Sequence, residues 1–396
     1  MKKIFIVIAF LLSIQLVQAQ TQDDLLKLLT RKGTITNAEA DSISNAYVYK
    51  NSRSDKSDTL PIIYLGNNLR VTGFTQFRYQ YYQQSGKNSE FDIRRARLDF
   101  QGNFGKKWDY RLLTDFVGAS GAAGSAPTGG ALLSPTLLDA YIAFKPVNNF
   151  KITAGQFVMP FSLENLTPDR TLETIDRSQV VNALVGRKGD ASNGLVDSIG
   201  NQNGRDIGLV VSGNFFKTGE KTYFLDYYFG LLSGAGINTV DNNQSKDFIS
   251  RLVFHPTKEL SFGGSFYDGN DRFTSSVTKD QSRIRWGAEL AYKHQLFALT
   301  SEYLRGQEAD KNPIVHEGWY AQASYYLVPK KLQGVLKYDT YNSNINKYHQ
   351  TNTYYIFGVN YLFNAWSKLQ VNYSWRTESG TNIANDLLTA QLQLAF

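Results

Sequence analysis

The chain has 396 residues, no cysteine, four histidines and a formal net charge of +7. These figures exclude a disulfide framework and a thiolate metal site. The basic excess is mild and points to no nucleic-acid partner. Mean hydropathy is −0.34 although aromatics make up 14%, so apolar rings are spread through a polar chain.

Lys2 and Lys3 precede an apolar run from Ile4 to Leu12, and Val17, Gln18 and Ala19 supply a cleavage site. Residues 1–19 read as a secretory signal peptide. The run is too short to cross a bilayer as a helix, and no later stretch approaches about 20 apolar residues. An exported chain of this kind is either soluble in the periplasm or a barrel in the outer membrane. Residues 20–60 differ from the rest. Leu25, Leu26, Leu28 and Leu29 sit at helical spacing, and Thr36 to Glu39 reads as a capping box opening a second helix through about Ala46. Residues 50–59 form a polar linker. The expectation here is a short periplasmic helical segment and linker, with a frayed tail as the alternative.

Period-2 segments recur from Leu69 to the end, within a barrel domain spanning 61–396. They cover 69–81, 91–104, 108–118, 136–146, 149–158, 204–215, 221–232, 246–255, 259–268, 283–293, 296–306, 317–327, 332–341, 352–363, 366–376 and 386–396. Lys368, Gln370, Asn372, Ser374 and Arg376 alternate with Leu369, Val371, Tyr373 and Trp375. Odd connectors are long and even ones tight, the pattern of outer-membrane barrels with short periplasmic turns. The last segment places Leu388, Ala390, Leu392, Leu394 and Phe396 on one face. In lipid every backbone polar group must be paired, so such strands belong to a closed wall. The expected fold is all-β, a sixteen-stranded antiparallel transmembrane barrel meeting outer-membrane lipid. That strand number leaves an aqueous channel.

Phe91–Phe100 (Phe-Asp-Ile-Arg-Arg-Ala-Arg-Leu-Asp-Phe), Trp108–Arg111, Gly155–Glu164 and Gly204–Gly208 resemble the phosphate-selective porins O and P. The resemblance implies sixteen strands, a homotrimer, and a third loop folded into the lumen as a constriction. It also implies lumenal arginines and lysines that pass anions such as phosphate. A terminal Phe396 resembles the assembly signal that outer-membrane assembly machinery reads in bacterial barrels.

The longest connector, 159–203, carries Phe161, Leu163, Leu166, Leu172, Ile175, Val180, Val181 and Leu184. A loop in water has no use for these, so they are expected to pack on the inner wall. Leu172–Val185 is expected to form a short helix; an extracellular lid is the alternative. Strand parity turns Arg70, Arg78, Arg95, Arg97, Arg111, Lys145, Lys151, Arg251, Arg283, Arg285, Lys293, Lys337, Lys368 and Arg376 inward. Asp99, Asp115, Asp139, Asp206, Asp226, Asp247, Glu289, Glu302 and Asp339 face them. Arg94 breaks parity and is assigned to the membrane interface or a subunit contact. The expected anion pathway is Arg95, Arg97, Arg111, Arg170, Arg177, Arg251, Arg283 and Arg285. Neutralisation by neighbouring carboxylates leaves a general diffusion porin as an alternative, and a plugged barrel whose loops bind a partner as another. His255, His294, His316 and His349 lack metal-ligand spacing, and no Ser-His-acid set faces outward together. No enzyme, metal or cofactor is expected.

Overall fold

The computed structural model describes residues 30–32, 36, 39, 62–65, 68–117, 135–185, 204–219, 222–241, 243–271, 280–308 and 313–396. The chain divides into two units, Met1–Thr59 and Leu60–Phe396. In the first, the Glu39 N–H donates to Thr36 Oγ1 at 3.2 Å, and the Thr36 N–H donates to the Glu39 carboxylate at 2.8 Å. These are the reciprocal bonds of a capping box. Most of the expected helical segment, the linker and the signal peptide lie outside the described residues.

The second unit is a closed antiparallel barrel of sixteen strands, preceded by a short strand β1 (Ile63–Leu65). The wall runs β2 (Leu69–Tyr82), β3 (Glu90–Phe104), β4 (Trp108–Asp115), β5 (Thr136–Val147), β6 (Phe150–Val158), β7 (Arg205–Lys217), β8 (Tyr223–Leu232) and β9 (Asp247–Phe254). It continues with β10 (Leu260–Asp271), β11 (Gln281–His294), β12 (Phe297–Glu308), β13 (Ile314–Val328), β14 (Leu332–Asn342), β15 (Thr351–Leu362), β16 (Lys368–Glu378) and β17 (Leu387–Ala395). Each strand pairs with the next, and β17 closes on β2 with Leu392 opposite Phe77. All sixteen expected strands are present, with ends shifted by a few residues.

β1 was not expected, because three residues carry no readable period. It pairs with Leu69–Val71 at the start of β2. Just beyond, the Phe396 N–H donates to Gly73 O at 2.9 Å and Gly73 N–H donates to Phe396 O at 2.7 Å. β1 therefore continues the line of the last strand. The Phe396 ring occupies the space a Cβ on Gly73 would need.

Alternation sorts the two faces. Phe77, Ile142, Leu209, Phe357 and Trp375 are exposed on the outside, whereas Gln76, Gln370, Gln391 and Gln393 are buried inside. Arg94 has a local cause. Gln76 pairs with Arg95 and Phe77 with Ile93, so Arg94 is the extra residue of a β-bulge. A bulge lets two successive side chains share a face. Arg94 reaches Asp176 of the loop at 3.4 Å, which corrects its assignment to the interface or a subunit contact.

Candidate functional site

The connector after β6 enters the lumen, and residues 159–185 of it are described. It forms α1 (Leu163–Leu166), a 3-10 turn at Asp169–Thr171 and α2 (Gln179–Leu184). Ser162 caps α1 and Ser178 caps α2, each accepting from a backbone N–H three residues on. Three kinds of contact hold the segment.

The first is apolar. Met159, Phe161, Val180, Val181, Leu184 and Val185 join Val210, Leu232, Ile249, Tyr267, Leu304 and Tyr320 of the wall in one buried cluster. α2 lies against β12, β13 and β14. Gly306 and Gly318 leave the room that Leu184 and Val180 fill. Each of these buried side chains contributes about 1.5–3 kcal/mol.

The second is a strip of wall amides that grips the loop backbone. Leu172 O accepts from Lys368 at 2.5 Å and Gln370 at 3.2 Å, and Glu173 O accepts from Asn360 at 2.8 Å. The Ile175 N–H donates to Asn372 at 2.8 Å. Gln322, Ser324 and Gln333 each donate to the Glu173 carboxylate at 2.9 Å. This is why the expected helix over Leu172–Val185 is confined to Gln179–Leu184. The wall takes the backbone groups of 172–175, which are then lost to helix bonds.

The third is ionic. Asp169 pairs with Arg97, with Arg177 and, at 3.1 Å, with Arg95. Arg97 also meets Asp115 at 2.7 Å. Lys337 donates to Glu164 at 2.5 Å, and the Ser178 N–H donates to it at 2.7 Å. Burial opposes ionisation of Glu164, but Lys337, Ser178 and Arg177 outweigh it and hold the carboxyl below its usual range.

The eight arginines of the expected pathway thus divide. Arg95, Arg97 and Arg177 are buried around Asp169. Arg251 is bidentate to Glu289 at 2.5 and 3.0 Å. Arg285 donates to Glu308 at 2.7 Å and to Leu184 O. Arg283 is buried and, with Arg285, Tyr267 and Phe161, lines a small cavity beside the loop. Only Arg111 and Arg170 keep partial exposure to the lumen. Arg111 is 2.9 Å from both Asp99 and Asp139. Arg170 lies over the Trp366 ring at 5.6 Å. Burial lowers the Arg170 pKa, Asp99 opposes this, and Arg111 and Arg70 add to it. Arg70 is exposed and donates to Gln101. Sequence reasoning turned Arg70 inward but left it out of the pathway. Its position at the start of β2, opposite Gln101 as Arg111 is on the other side, was the available signal.

A sixteen-stranded wall with lipid-facing apolar rows and a loop across its lumen defines an outer-membrane channel of the porin class. The family model of phosphate-selective porins O and P matches residues 66–396, and the chain belongs to that family. No curated protein matches the chain. Solved structures share the fold at low identity. The anion-selective porin from Comamonas acidovorans is 12% identical with a TM-score of 0.60, covering 83% of this chain and 99% of its own. The outer-membrane channel DcaP of Acinetobacter baumannii is 12% identical with a TM-score of 0.56, covering 83% and 97%. OmpT of Vibrio cholerae in a trimer form is 10% identical with a TM-score of 0.56, covering 83% and 99%. The family and the fold indicate a channel rather than an enzyme, located in the outer membrane.

Proposed function

We propose that this porin prefers small anions, phosphate-like ones among them, and that Arg70, Arg111 and Arg170 provide the preference. One observation carries the reading. These three arginines share the open side of the constriction with Asp99, whereas Arg95, Arg97 and Arg177 are consumed by Asp169. The buried set fastens the loop; the exposed set meets the solute. A tenfold preference needs about 1.4 kcal/mol, within reach of one or two uncompensated charges at an effective dielectric near 20. The preference is therefore moderate, since Asp99 and Asp139 offset part of the field. The chain is exported by residues 1–19, followed by a periplasmic segment over 20–60, and assembles as a trimer, a form in which OmpT of Vibrio cholerae has been solved. The test is zero-current potential across a bilayer with a KCl gradient. Replacing Arg70, Arg111 and Arg170 by Ser together should abolish the chloride preference, whereas an unchanged potential in a folded variant would remove these residues from the pathway.

A further inference from the structure

The tight-turn end of the barrel carries a row of lysines that the channel does not use. Lys106 and Lys107 form the β3–β4 turn, Lys258 lies in the β9–β10 turn, and Lys330 and Lys331 form the β13–β14 turn. Lys217 ends β7. All six are exposed. The one carboxylate among the described turn residues is Glu259, 3.5 Å from Lys258. The described loops at the opposite end, the constriction loop aside, are balanced, with Lys87, Lys246 and Lys347 against Asp241, Asp280 and Asp386.

The lysines sit directly beyond an aromatic belt on the outer face. Phe104 stacks on Tyr110 at 5.0 Å, next to Lys106. Trp108 meets Phe144 at 4.5 Å, next to Lys107. Phe215 stacks on Tyr227 at 4.8 Å, two residues before Lys217. Phe254 stacks on Phe262 at 5.5 Å, flanking Lys258, and the exposed Leu327 and Val328 precede Lys330. Aromatic belts mark the level of lipid headgroups. Short turns face the periplasm, so these ammonium groups lie at the phosphates of the inner leaflet.

We propose that this rim binds anionic phospholipid, with the lysines gripping headgroup phosphates and the belt packing on the upper acyl chains. A zwitterionic headgroup offers the same phosphate with a cancelling amine, so the rim selects net negative lipid. A basic residue at an anionic surface gains about 1 kcal/mol, roughly a fivefold change per residue.

The test uses the porin in vesicles of phosphatidylethanolamine and phosphatidylglycerol, with a trace of spin label on one lipid or on the other. Electron spin resonance reads the fraction of label immobilised on the barrel. Phosphatidylglycerol should be favoured several-fold. The preference should vanish in 1 M NaCl, and should fall towards unity in the variant Lys106→Gln, Lys107→Gln, Lys330→Gln, Lys331→Gln. The salt arm needs no mutant, so a folding defect in the variant leaves the claim testable. Equal immobilisation of both lipids by the wild type would overturn the proposal. So would lysine-dependent retention on isolated peptidoglycan without any lipid preference, which would assign the rim to a periplasmic polymer.

Discussion

Asp169→Asn isolates the ionic node of the loop. Asp169 is buried and meets Arg95, Arg97 and Arg177. In the variant, Arg97 keeps Asp115, Arg95 keeps the Gln76 side-chain oxygen at 2.8 Å, and Arg177 keeps Glu164 O at 2.9 Å and Thr167 O. Removing one partner of a buried ion pair costs about 3–5 kcal/mol. The retained acceptors put this variant at the low end, near 3 kcal/mol. The loop itself stays seated, because α2 and the amide strip are untouched. The substitution also adds one positive charge beside the constriction. At about 8 Å from a passing ion, one charge is worth about 0.5 kcal/mol in water and about 2 kcal/mol at an effective dielectric of 20. The partition of a passing anion should therefore rise by about two- to thirtyfold and that of a cation fall by the same factor, so the anion-to-cation permeability ratio should rise at least about fivefold. Urea unfolding in detergent reads the first effect and zero-current potential in a KCl gradient reads the second. A variant with wild-type stability and wild-type potential would refute the claim that Asp169 neutralises and secures the arginines.

Three further outcomes follow from the same contacts. Gly318→Val places methyl groups where Val180 sits, an overpacking cost of about 1–3 kcal/mol, so α2 should be displaced and single-channel conductance altered; an unchanged conductance would deny that α2 seats there. The depressed Glu164 carboxyl makes its anchor fully present above the ordinary carboxylate pKa and lost only as pH falls through the lower folded value, so conductance should hold steady from neutral pH to about 5 and change in stronger acid, while Lys337→Met should move the onset upward. Deleting Phe396 removes both backbone bonds to Gly73 and the ring that covers it, and the yield of folded, heat-modifiable barrel should fall on gels.

The wall was legible because each strand meets two solvents at once. Lys368, Gln370 and Asn372 cannot share a lipid face, and their alternation with Leu369 and Val371 fixes inside and outside without any distant contact. The interior was legible only in part. The apolar residues of the loop announced that it packs, but α2 is short because Gln370, Asn360 and Asn372 bind the backbone of 172–175, and those residues lie almost 200 positions away. Separation along the chain also hid the division of the arginines. Arg95 and Arg97 look like a lumenal pair until Asp169, over 70 residues on, closes on them. Arg94 was misread because a bulge is a property of register between two strands, and one strand alone does not reveal it.

The most direct measurement is the zero-current potential of the wild-type porin in a planar bilayer under a tenfold KCl gradient (tenfold permeability being about 1.4 kcal/mol). Arg70, Arg111 and Arg170 on the open side of the constriction predict a potential with the sign of chloride permeating faster, shrinking as salt screens the arginines. A potential with the sign of potassium permeating faster, or none at any salt concentration, would contradict the account.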